Sequence, residues 1–155
     1  MNKIIKLKAI PEKSHISNGF EKIDYSDSYS IKKTTHKSME DISKEIMTLP
    51  DWAIFLFSLR NKIVKKFGLK TDTKNNEQKT FFTLIEKNKN EIVLGEDDKH
   101  LNFRASIMRE QLEDTIILTT VVHFNNGFGK VYFFLIKPFH KLIMRTLLKR
   151  QLKRD

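Results

Sequence analysis

The chain has no cysteine among its 155 residues, which excludes disulfides and cysteine-ligated metal sites and fits a reducing compartment. Proline is scarce, at three residues, while phenylalanine occurs twelve times and 39% of the chain is hydrophobic, so the composition is that of a folded protein and not of a disordered one. No apolar run approaches the roughly 20 residues that a membrane helix needs, and Lys6 and Lys8 break any signal-peptide core near the N-terminus. A soluble, cytoplasmic protein without a membrane span is therefore expected. Also missing are a phosphate-cradling Gly-Lys-Ser/Thr loop, a His-Glu-x-x-His pair, a nucleophile elbow and zinc-ligand spacing; Gly127-Phe128-Gly129-Lys130 is too short for a nucleotide loop. No cofactor is expected. Acidic residues are in deficit, 19 against 29 Lys and Arg, for a formal charge of +10. The lysines are scattered and no Arg–aromatic interleaving accompanies them, so the charge reads as a solvated surface and no nucleic-acid partner is expected.

What is present is concentrated at the C-terminal end. From Asn126 onward, Tyr132, Leu135, Phe139, Leu142, Ile143 and Leu147 recur at three- and four-residue spacing, the pattern of one helix face. Lys137, Lys141, Arg145, Lys149 and Arg150 occupy much of the other side. Such a helix is about 38 Å long at ~1.5 Å per residue, enough to cross a small domain, and the strands before it are its natural partner. Pro138 removes one hydrogen bond from it. A helix running through the proline, kinked there, is favoured over a strand at 130–136, because the apolar stripe passes through in phase.

Length implies one domain over 1–155, with a turn-rich lead-in at 1–19 and a core at 20–155. A strand is expected near 27–34, where Tyr25, Asp27, Tyr29 and Ile31 share one parity. Ser38-Met39-Glu40-Asp41 resembles a capping box, and Met39, Ile42, Ile46 and Leu49 form a helical stripe after it. Pro50 separates this helix from a second at about 50–67, with Trp52, Phe55, Leu56, Leu59, Ile63 and Phe67 in helical spacing and Gly68 as its C-terminal cap. A polar loop at 70–79 leads into strands at about 79–87, 90–96, 99–109 and 114–124. The expected core includes Trp52, Phe55, Leu56, Leu59, Phe103, Leu118, Val122, Leu135, Phe139 and Leu142.

From Leu49 onward, several motifs resemble one bacterial family: Leu49-Pro50-Asp51-Trp52, Leu59-Arg60-Asn61-Lys62-Ile63-Val64, Phe67-Gly68-Leu69-Lys70, Leu94 to Arg104, Thr120-Val121-Val122-His123, and Gly129 to Tyr132 followed by Lys137-Pro138-Phe139-His140. The family is domain of unknown function 2867, in the helix-grip superfamily of START-like and polyketide-cyclase-like (SRPBCC) domains. The resemblance implies an α+β helix-grip fold: a curved antiparallel sheet wraps a long C-terminal helix, two shorter helices follow the first strand, and a cavity lies between sheet and helix. It implies no established activity. The family commonly carries Asp where this chain has Asn102, which weakens any carboxylate role there.

Chemistry is sought on the hairpin 99–124. By strand parity His100, Asn102, Arg104, Ser106 and Met108 share one face, with Leu101, Phe103, Ala105 and Ile107 on the other. A turn near Gln111-Leu112 puts His100 opposite His123, Asn102 opposite Val121 and Arg104 opposite Thr119. The functional reading is a polar ligand site or an acid–base pair, with His100 and His123 as the catalytic candidates. The bland reading, which parity favours, is a solvent-facing sheet side. A metal held by the two histidines is the weakest reading, and none is expected. His140 and Arg60 are lesser leads, as a partly exposed helix histidine and a helix ion-pair residue. The function expected is binding of a small apolar or amphipathic molecule, with Arg104, His123, Asn102, Tyr132 and Phe139 as ligand-binding candidates. A cyclase- or hydrolase-like enzyme stands as one alternative. The weakest is a membrane-surface or protein-interaction module using Lys137, Lys141, Arg145, Lys149, Arg150, Lys153 and Arg154 as a basic stripe, because the apolar face of that helix is needed for the core. Ligand identity, catalysis and oligomeric state stay open.

Overall fold

The structure, a computed structural model, describes residues 3–67 and 82–154, apart from the side chains at 57, 60, 61, 63, 64 and 67. The expected polar loop at 70–79, the cap at Gly68 and the roles of Arg60, Ile63 and Phe67 lie outside what is described. The elements run β1 (Ile5–Lys6), β2 (Tyr25–Lys32), α1 (Met39–Met47), α2 (Asp51–Val64), β3 (Thr83–Lys87), β4 (Glu91–Asp97), β5 (Leu101–Glu110), β6 (Thr115–Phe124) and α3 (Gly127–Lys153). The strands form one antiparallel sheet of six in the order β1-β2-β6-β5-β4-β3. The two shorter helices follow β2, because the lead-in supplies an additional short strand. Among the described residues no helix is long and apolar enough to cross a membrane.

Alternation decides which side of the sheet the helices cover. Tyr29, Ile31, Ile92, Leu94, Ile107, Ile116 and Leu118 point to one face and pack with Met39, Ile42, Ile46 and Met47 of α1 and Met144, Leu147 and Leu148 of α3. The start of α1 is set by Ser38, whose hydroxyl accepts the amide of Asp41 at 3.1 Å. The opposite face is not open to solvent, as parity alone suggests. Residues of the lead-in lie across it: Ile16, buried, packs with Val93 and Val121, and Ile10, Phe20 and Ile23 flank them.

The β5–β6 hairpin keeps the expected parity but shifts its register. Glu110 pairs with Thr115, Asn102 with His123 and Arg104 with Val121. A one-turn 3-10 helix at Gln111–Glu113, closed by Asp114 at φ 50°, moves the turn centre one residue on, so every pairing shifts by two and side chains keep their faces. His100 therefore does not face His123.

Residues 130–136 are helical, and α3 continues through Pro138. The carbonyl of Phe134, which loses its helical donor, belongs to the exposed side of α3, where water can take its place. The buried side differs from the expected stripe. Gly129, Phe133, Met144, Leu147, Leu148 and Gln151 face inward, whereas Leu135, Phe139 and Leu142 are exposed. The first half of α3 is apolar almost all round, so two stripes compete, and contacts at the helix ends decide between them. Asn126 caps the start by accepting the amide of Gly129 at 3.0 Å, and Gly129 lies against the backbone of His100. At the far end Lys33 donates to the carbonyls of Gln151 and Arg154, a cation at a helix C-terminus. Trp52, Phe55 and Leu59 of α2 are likewise exposed and not core; Ala53 is the buried one among the described side chains of that helix.

Candidate functional site

Asn102, Arg104 and His123 lie on the sheet face that the lead-in crosses. Arg104 donates through Nη1 to Oδ1 of Asp97 at 2.6 Å and to the carbonyl of Phe103 at 2.9 Å, and its guanidinium lies 5.1 Å from the ring centre of Phe20. Gly95 makes room for it, since a Cβ there would stand 2.6 Å from Cδ of Arg104. Nδ2 of Asn125 donates to Oδ1 of Asn102 at 3.0 Å. His123 places Nδ1 2.8 Å from Oδ2 of Asp24, outside hydrogen-bond alignment. Burial opposes ionisation of Asp24, but the amide of Phe124, Lys22 and His123 outweigh it and hold the carboxyl below its ordinary range. These side chains are occupied in tying loops to the sheet.

His100 precedes β5 and turns toward α3. The side-chain amide of Asn126 holds His100, with Nδ2 2.9 Å and Oδ1 3.2 Å from Nδ1 of the ring, while Oδ1 also accepts the backbone amide of Gly129. The imidazole lies 4.5 Å from the ring centre of Phe128, and the carbonyl of His100 accepts the amide of Asn125 at 2.9 Å. His100 thus joins the start of β5 to the start of α3, and the two catalytic candidates belong to different clusters.

A third cluster lies between sheet and helix. Asp27, on the helix-facing parity of β2, is buried and pairs across the sheet with Thr120, itself fully buried. The hydroxyl of Tyr25 donates to Oδ2 of Asp27 at 2.6 Å. His140 reaches across from α3, with Nε2 3.4 Å from the same oxygen and outside hydrogen-bond alignment. Aromatic rings enclose the group: Phe133 lies 4.7 Å from the Tyr25 ring and 6.2 Å from that of His140, and Lys137 stands 5.1 Å from the Tyr25 ring centre. Oδ1 of Asp27 and Nε2 of His140 are buried without a hydrogen-bond partner among the described residues. Burial pushes the Asp27 carboxyl upward, but the charge of His140, the Tyr25 hydroxyl and Lys141 prevail and keep it below the ordinary carboxylate value. Burial, followed by the neighbouring carboxylate, pushes the Tyr25 phenol upward, so Tyr25 stays a donor. His140 was a lesser lead in the sequence. Asp27 carried a legible signal that went unused: an acid alternating with Tyr25, Tyr29 and Ile31 on a strand must be either misplaced or partnered.

Tyr132 and Phe139 stand outside this group. The ring of Tyr132 stacks on Phe128, with centres 6.5 Å apart, and Phe139 is exposed. Two open grooves, about 510 and 350 Å³, lie by the β5–β6 turn and share Lys33, Thr34 and Asp114; none of the expected site residues lines them. Among the described residues no group of three or more His, Asp or Glu could hold a metal.

The family described as "Protein of unknown function (DUF2867)" matches residues 20–147, from Phe20 to Leu147 of α3. No curated protein and no solved structure matches the chain.

Proposed function

The chain belongs to the DUF2867 family of proteins of unknown function, and from that premise we propose that it is a helix-grip, START-like domain binding a small amphipathic molecule between sheet and α3. The strand order and the long helix laid on one sheet face are compatible with that architecture. The observation that carries the ligand reading is the buried, unpartnered Oδ1 of Asp27. A buried acceptor left unsatisfied costs about 1–3 kcal/mol, and a ligand hydroxyl or amine between β2 and α3 would remove that cost. Tyr25 and His140 would fix the orientation of its polar end, and Phe133 and Phe124, with ring centres 5.8 Å apart, would meet its apolar part. In this reading the polar handle is Asp27 and His140, in place of Arg104 and His123. Acid–base catalysis by His100 or His123 has less support, because each is engaged in a different cluster.

The experiment is a thermal-shift screen of fatty acids, isoprenoid alcohols and aromatic polyketides against the wild type and Asp27→Asn. A ligand at one hundred times its dissociation constant should add about 2.7 kcal/mol of stability, and the gain should fall in the variant. Absence of a shift from every class, or an equal shift in Asp27→Asn, would remove this reading.

A further inference from the structure

We propose that the outer side of the first half of α3 docks on an anionic lipid surface. Val131, Phe134, Leu135, Phe139 and Leu142 follow one another at helical spacing and are 61, 74, 66, 52 and 53% exposed. They lie opposite Gly129, Phe133, Met144, Leu147 and Leu148, so the domain side of the helix is already satisfied without them. Single exposed apolar side chains are ordinary, but five along one line of about 17 Å make a continuous stripe.

Charge selects the occupant. At 100° per residue, the exposed Arg145 and Lys149 continue the stripe's line beyond Leu142 and the exposed Lys130 lies beside its start, whereas Lys137 and Lys141 turn toward the Tyr25–Asp27 cluster. No Asp or Glu occurs from Thr115 to Arg154. A second copy meeting the same face about a two-fold axis would set these cations against their like. A nucleic acid would accept the cations but give Phe134 and Leu135, at the centre of the stripe, no apolar surroundings. A lipid surface carrying phosphate head groups accepts both features, with the apolar side chains inserted at the acyl boundary and the cations at head-group level. The contact is shallow, since the inner half of the helix stays on the sheet. This inference stands independently of the ligand reading.

The test is co-sedimentation of the full chain with vesicles of phosphatidylcholine alone or mixed equally with phosphatidylglycerol. Binding to the mixed vesicles at low salt should be about tenfold or more tighter than to the neutral ones, and should weaken as salt is raised. Phe134→Ser with Leu135→Ser should weaken it about tenfold or more, with the thermal midpoint kept because both positions are exposed. Arg145→Glu with Lys149→Glu, both at exposed positions, should abolish the preference for anionic vesicles. Absence of binding at low salt, equal binding to neutral vesicles, or serine variants that bind as the wild type would each overturn the proposal. So would a concentration-dependent dimer lost in the same serine variants, which would assign the stripe to a second copy of the chain.

Discussion

Gly129 of α3 lies against the backbone of His100, so closely that a Cβ on it would stand 2.0 Å from the His100 carbonyl oxygen and 2.8 Å from the carbonyl carbon. Both opposing atoms are main chain, so neither can rotate away. Gly129→Ala should therefore cost about 1–3 kcal/mol or more, the range for overpacking, by lifting the start of α3 off β5. Gly127, two residues earlier, has open space around its Cβ position. Gly127→Ala should be neutral or stabilise by up to about 1 kcal/mol through helix propensity. Urea midpoints of the two variants check the contrast, and equal effects would refute the close approach.

The Asp27 cluster makes a pH-dependent prediction. Its carboxyl is held below the ordinary carboxylate range in the folded chain. A group whose folded pKa is depressed contributes stability that is complete above its unfolded value and is lost as pH falls through the folded one. Asp27→Asn keeps an acceptor for the Tyr25 hydroxyl but removes the charge facing His140 and Lys141. At pH 7 it should destabilise by about 1–2 kcal/mol, and the difference from wild type should shrink as pH drops below 3.8. Denaturant titrations of both proteins at neutral and acid pH measure it. A difference that persists undiminished in acid would place the effect in packing instead of charge.

The phase of α3 gives a third test. Leu148 is fully buried beside Met144 and Leu147, whereas Leu142 is 53% exposed. Leu148→Ala should cost about 2–5 kcal/mol, the usual result for a filled site. Leu142→Ala, and Leu59→Ala on α2, should stay within about 0.5 kcal/mol because each leaves a largely solvated position. Chemical unfolding of the three variants decides whether the sheet meets the face that carries Leu148 or the one that carries Leu142.

That contrast also marks how far the sequence could be read. The strands β2, β4, β5 and β6, both short helices and the helical state of 130–136 follow from period-two and period-3.6 patterns, and they fall within a few residues of expectation. The side of β5 and β6 that meets the helices was legible too, since parity survives a shift of two in register. The facing of α3 was not. Phe134, Leu135 and Phe139 look more like core than Gly129, His140 and Gln151 do, but Gly129 lies against His100, His140 meets Asp27 and Gln151 donates to Glu45. Nor did composition reveal that the lead-in covers a sheet face. Its apolar residues, Ile10, Ile16, Phe20 and Ile23, have no periodicity, because a strap without regular structure anchors itself wherever a side chain fits. Phe20 of that strap lies against Arg104, which parity assigns to solvent and which is half-buried.

The buried polar anchor of the strap is Glu91, the first residue of β4, beside more exposed contacts of Lys13 with Glu110 and of His15 and Asn18 with Glu86. It is buried and accepts hydrogen bonds from the hydroxyls of Ser14 and Ser106 and, at 2.8 Å through Oε2, from the amide of His15. Two of these donors belong to the strap, and the next residue, Ile16, packs with Val93 and Val121. Glu91→Ala removes the shared acceptor and leaves three donors, one of them a backbone amide, to find water or remain unsatisfied. The expected loss is about 1–3 kcal/mol for the first buried donor left unpaired. The loss should not be spread evenly, however. Core contacts of Ile31, Ile107, Leu118 and Leu148 lie on the opposite sheet face and do not involve Glu91. Local opening of the strap should therefore outrun global unfolding. Limited proteolysis at Lys13 and Lys22 should be faster in Glu91→Ala than in wild type, while Ser106→Ala, which leaves both strap donors paired, should be cut at nearly the wild-type rate. Equal protection in Glu91→Ala and wild type would mean that Ile16 and Phe20 hold the strap without the carboxylate.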